Sequence, residues 1–160
     1  MHLYLVQHAE ALAEEIDPAR PLSERGKADV ERMATLLRGH VQGLSRVLHS
    51  GKTRARQTAE ILAHTVAANA AVEPAQGLNP LDDPEPVCRR IKASDDDAML
   101  VGHLPFMARL VSRLLTRDPE AEIVAFRPGT VLCLEGKEGA WQVAWMLRPE
   151  LLVPDASRGH

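Results

Sequence analysis

At 160 residues the chain is long enough for one domain with a substantial buried core. Hydrophobic residues make up 45% and charged residues 26%, which excludes a disordered chain. A formal net charge of −3 argues against a general nucleic-acid binder, so any anion site must be a local cluster of positive groups.

The chain opens on a nearly continuous apolar run at residues 2–7, as in a strand covered on both faces. The run Leu3-Tyr4-Leu5-Val6 lacks the charged flank and length of a signal peptide. A loop rich in Asp, Pro and Arg follows and ends in Arg20-Pro21-Leu22-Ser23. Ser23 can cap a helix with Glu24 in its first turn, and Val30, Met33, Ala34 and Leu37 form one helical face that stops near Gly39. Arg46 to His49 reads as a short strand, Ser50-Gly51 as a turn, and Thr53 as the start of a helix with Ala55, Ala59, Leu62 and Val66 on its apolar side.

Residues 72–86 read as a loop punctuated by Pro74, Pro80, Pro84 and Pro86, with a short helix from about Glu85 to Lys92. Asp95-Asp96-Asp97 is a solvated turn rather than a metal site. Ala98 to Gly102 is a second buried strand, and Pro105 suits the first turn of a helix whose stripe is Met107, Leu110, Val111, Leu114 and Leu115. Thr130 to Leu134 and Gln142 to Met146 look like two strands joined by a turn containing Gly136 and Gly139. Pro154 to His160 reads as a loose tail, leaving one domain over residues 1–153. Strand–helix alternation of this kind predicts an α/β three-layer sandwich: a mostly parallel central sheet with helices on both faces and an antiparallel hairpin at one edge.

Cys88 and Cys133 have neither the number for a disulfide framework nor the spacing of a zinc site, and read as semi-buried thiols in a reducing cytosol. No stretch approaches the ~18 apolar residues of a membrane span. A soluble cytoplasmic protein is expected, without a long exposed apolar helix and so a monomer.

In open α/β sheets, sites form beyond the carboxyl ends of strands. Three such ends carry suggestive residues: Gln7-His8, His49-Ser50 leading to Arg54, and Gly102-His103. Singly, a histidine or arginine after a strand is usually a loop or packing residue. Together, on parallel strands, these groups can converge on one cleft.

The ordered motifs resemble the histidine phosphatase superfamily, most closely its short SixA-type phosphohistidine phosphatases. They are Gln7-His8-Ala9, where the family has Arg-His-Gly or Arg-His-Ala; Arg20-Pro21-Leu22-Ser23 with Gly26; Ser50 followed by Arg54-Ala55-Arg56-Gln57-Thr58; and Gly102-His103-Leu104-Pro105. The resemblance runs from His2 to about Pro149 and implies the phosphoglycerate mutase-like fold. It implies His8 as nucleophile through a covalent phosphohistidine, with a neighbouring arginine keeping the ring neutral. It implies Arg54 as the phosphate clamp, His103 as a hydrogen-bond donor to the phosphoryl group, and Arg20 as a further contact. Ser50 orients its neighbours, and Gln57, Thr58 and Gly26 read as local turn and packing residues.

Gln7 departs from the family arginine: it keeps amide donors but loses the charge and the fork, a loss of ~2–4 kcal/mol in transition-state binding that Arg20 or Lys52 can offset. Larger family members use a carboxylic acid to protonate an alkoxide. Leu78-Asn79-Pro80-Leu81 supplies none, although Asp82, Asp83 and Glu85 follow. An imidazole leaving group needs less help, so the resemblance points to phosphohistidine on a signalling protein such as a histidine phosphotransfer domain. A small-ester phosphatase and a weakly active or non-catalytic phosphate-binding module are the alternatives. No metal or cofactor is expected.

Overall fold

A computed structural model describes residues 1–153, so the expected tail at 154–160 lies outside the described residues. The elements are β1 (His2–Gln7), α1 (Glu24–Leu37), β2 (Arg46–His49), α2 (Thr53–Val66), β3 (Ala71–Pro74), α3 (Glu85–Lys92), β4 (Ala98–Gly102), α4 (Phe106–Thr116), β5 (Val131–Lys137), β6 (Ala140–Leu147) and a closing 3-10 turn, Pro149–Leu152. They build a six-stranded sheet in the order β3-β2-β4-β1-β5-β6. The first four strands run parallel; β5 pairs antiparallel with β1, and β6 antiparallel with β5.

Alternation along β1 creates the layers. Leu3 and Leu5 join Leu100, Leu132 and Leu134 beneath the apolar faces of α3 and α4. Tyr4 and Val6 join Val47, Met99 and Val101 beneath α1 and α2. A strand with both faces covered has no polar side to spare, which is why residues 3–6 are all apolar. The chain is an α/β three-layer sandwich, as its pattern predicts.

Ser23 caps α1, its Oγ accepting from the Gly26 N–H at 3.0 Å, and Val30, Met33, Ala34 and Leu37 are buried as the spacing requires. Gly26 is not merely a turn residue. A Cβ there would run into the backbone carbonyl of Glu10, so the absence of a side chain lets the first turn of α1 lie directly on the loop that follows β1. Pro105 precedes α4 instead of occupying its first turn, and Met107, Leu110 and Val111 are its buried stripe.

Two expectations need correction. The stretch read as a loop over 72–86 begins with an edge strand, β3, in register with β2 from Arg46↔Ala71 to His49↔Pro74. Its residues are mostly exposed and show no alternation, so no hydrophobic period announces it. Gly136 lies within β5, not in the turn; a Cβ there would meet the Trp141 ring. The turn is Glu138-Gly139, both left-handed at φ 52° and 79°, the geometry of a two-residue hairpin. Both cysteines are free and buried. Among the described residues no helix is long and apolar enough to cross a membrane.

Candidate active site

The sheet order sets the site. β4 lies between β1 and β2, so the carboxyl ends of three adjacent parallel strands open on one crevice. His8 follows β1, Ser50 follows β2 and His103 follows β4. The His8 N–H donates to the Gly102 carbonyl at 3.0 Å, tying the first loop to the end of β4. The two imidazoles lie side by side, ring centroids 4.9 Å apart.

His8 Nδ1 is 2.7 Å from the Ala9 carbonyl oxygen. A carbonyl only accepts, so Nδ1 carries the proton and Nε2 keeps its lone pair. The ring's pKa is lowered to about 4, first by burial and then by the charges of Arg54 and Arg20, against an opposing push from the Ala9 bond. The ring is neutral at pH 7, but burial outranks the arginine to which the sequence reading assigns that effect.

His103 is only 2% exposed. Its Nε2 lies 2.6 Å from Ser50 Oγ, while Nδ1 is buried without a hydrogen-bond partner. Its pKa is lowered to about 3, chiefly by burial, then by His8, Arg54, Lys52 and Arg20. The direct donation to a phosphoryl group implied by the resemblance therefore meets a ring whose Nε2 is already engaged by Ser50.

Arg54 sits in the first turn of α2, its pKa lowered by burial and by the charge of Arg20. Arg20 is held in the left-handed region at φ 47°, with its N–H on the Asp17 carbonyl and its Nε on the Leu12 carbonyl at 3.1 Å. Left-handed backbone at a bulky residue costs roughly 1 kcal/mol and recurs where a side chain must be aimed. Arg20, Lys52 and Arg54 form no ion pair with a carboxylate among the described residues, whereas Arg32, Arg56, Arg109 and Arg113 do. Gln7 is 7% exposed and its Oε1 is buried without a partner. Gln7 Oε1, Arg54 Nε and His103 Nδ1 are thus three unsatisfied buried polar atoms around one crevice, a concentration typical of functional sites.

Gln57 and Thr58 are packing residues, as read, but their work is long-range. Gln57 Oε1 accepts from the Leu22 N–H at 2.8 Å, and Thr58 Oγ1 accepts from the Ala9 N–H at 3.1 Å. Helix α2 thereby grips both ends of the loop between β1 and α1. Glu10, which sequence reasoning missed, adds a third tether: its carboxylate accepts from the Ser23 hydroxyl at 2.9 Å. The spacing from Ser23 offers no signal for that contact.

The three downstream carboxylates are engaged elsewhere. Asp82 accepts from the Asn79 N–H, Asp83 from the Glu85 N–H, and Glu85 makes a two-pronged pair with Arg113 at 2.9 and 3.0 Å. Among the described residues no group of three or more His, Cys, Asp or Glu side chains could hold a metal ion.

The family model described as the histidine phosphatase superfamily (branch 1) matches residues 3–81. Phosphohistidine phosphatase SixA of Escherichia coli K12 is 25% identical over 154 residues, covering 93% of this chain and 94% of the relative. The chain is thus similar to the histidine phosphatase superfamily. Within it, the likeness is to SixA-type members. A structure of the protein histidine phosphatase SixA complexed with tungstate superposes with a TM-score of 0.84 at 24% identity, over 96% of this chain and all of that one. The fold is shared more widely: the α-ribazole phosphatase from Shigella flexneri matches with a TM-score of 0.76 at 16% identity, over 93% of this chain and 97% of that one.

Proposed function

We propose that this chain is a member of that superfamily and a phosphohistidine phosphatase acting on a phosphorylated signalling protein. The observation that carries the reading is the His8 ring: neutral, with Nδ1–H fixed on the Ala9 carbonyl and the Nε2 lone pair available, among cations that no carboxylate of the described residues pairs with. His8 Nε2 attacks phosphorus, and the phosphorus–nitrogen bond of the substrate breaks. The released imidazole takes a proton from solvent. Water then attacks phospho-His8, releasing inorganic phosphate and returning the neutral ring. Arg54 and Arg20 hold the phosphoryl oxygens, and Lys52 adds positive potential.

Two features favour this substrate over a small ester. Asp82, Asp83 and Glu85 each serve a local hydrogen bond or ion pair, so these three carboxyl groups are engaged away from an alkoxide leaving group. The loops that rise from the carboxyl ends of the strands also carry large exposed apolar side chains: Leu81 at 84%, Ile16 at 71%, and Leu104 beside His103. Such a rim suits a protein surface better than a small polar phosphate.

The test is phosphate release from a phosphohistidine-bearing phosphotransfer domain beside an aryl phosphate ester. The expected result is turnover of the first far above the second, and equal or preferred ester hydrolysis overturns the reading. Leu81→Asp is expected to raise KM for the phosphoprotein about ten-fold, equivalent to ~1.4 kcal/mol of docking energy. A free phosphoramidate should feel that substitution little.

Gln7 favours a second reading, a module that binds phosphohistidine without turning it over, because its buried amide replaces the charged fork of the family. Saturable binding with no phosphate release assigns that role. If the enzyme reading is right, kcat/KM corrected for spontaneous hydrolysis keeps its plateau as pH falls to about 5, because the neutral nucleophile persists well below the usual imidazole range. An acid limb centred between pH 6 and 7 is the contrary result.

A further inference from the structure

We propose that the Ser50 hydroxyl, held in place by the His103 ring, is a direct donor to the bound phosphoryl group. The inference rests on the reading that the crevice holds a phosphoryl group.

The hydrogen-bond accounting around Ser50 leads there. His103 Nδ1 is buried with no acceptor in reach, and orphaned buried N–H groups are rarer than orphaned acceptors. The favoured tautomer therefore has its proton on Nε2, which donates to Ser50 Oγ across 2.6 Å. The Lys52 N–H donates to the same oxygen at 3.3 Å. A serine oxygen has two lone pairs, and both are then filled. Its own proton has no acceptor among the described residues. Ser50 is partly exposed where His103 is buried, so the hydroxyl is the group presented to the crevice. Chained donors polarise one another, so the Nε2–H strengthens the hydroxyl as a donor. With Gln7 in place of a guanidinium, this adds a contact where the family charge is missing.

Two measurements decide the matter. Long-range proton–nitrogen spectra of the imidazoles are expected to show His103 as the Nε2–H tautomer, and a proton on Nδ1 overturns the proposal. Titration with inorganic phosphate is expected to weaken about ten-fold in Ser50→Ala and to recover to within about three-fold of the parent in Ser50→Thr, which keeps the hydroxyl. Equal phosphate affinity in Ser50→Ala and the parent refutes the role of Ser50 while leaving the crevice a phosphate site. Absence of phosphate binding in the parent refutes the underlying reading as well.

Discussion

Phosphate release by His8→Ala is expected to fall at least about 10⁴-fold, to the background of uncatalysed hydrolysis. Neither cysteine is placed to take over. Cys88 is buried in the core on the α3–α4 side and Cys133 in the core on the α1–α2 side, and burial raises the pKa of both thiols away from the reactive thiolate. Arg54 and Arg20 remain, so inorganic phosphate should still bind, weakened by less than about ten-fold, which separates loss of the nucleophile from loss of the pocket.

The same substitution has a signature in stability. The folded ring titrates near 4 and a free one near 6.5, so between those values the unfolded chain binds the extra proton and the native one does not. Stability therefore drops as pH falls from about 6.5 to 4, by roughly 3 kcal/mol from His8. His8→Ala removes that contribution, and its unfolding free energy should decline less steeply over this window. Chemical denaturation at pH 7 and pH 4.5 measures the difference; parallel slopes for parent and variant would count against a buried neutral ring.

Gly26→Ala is expected to cost about 3 kcal/mol, or roughly 10 °C in Tm, although alanine is the better helix former. The new methyl group would collide with the Glu10 peptide, and neither backbone can yield without moving the other. Glu10 belongs to the short connection from His8 to Leu12, whose carbonyl holds Arg20 Nε. Displacing it should disturb both His8 and Arg20. Thermal unfolding together with phosphate affinity checks this, and a variant as stable as the parent shows that α1 can slide outward.

The layers of the fold were legible because each is written as a period: apolar runs for β1 and β4, and stripes on α1 and α4 that burial reproduces. β3 was not, because an exposed edge strand carries no such period. The crevice residues were legible because they stand at strand ends. What the sequence could not show were distances and desolvation. Burial, not a neighbouring guanidinium, chiefly keeps His8 neutral, and Ser50 meets His103 across 53 residues of chain. Gly26 and Thr58 look like local grammar, yet each fixes a contact between separate elements.

Because β4 slots between β1 and β2, the middle of the sheet is finished by a strand made late in synthesis. A nascent chain that has emerged only as far as α3 offers β1 no strand partner, since both its neighbours, β4 and β5, lie further along the chain. Residues 98–102 then bridge β1 to β2, and the loop that follows them carries the second imidazole to the side of the first. One strand thus both joins the two sides of the sheet and brings His103 to His8.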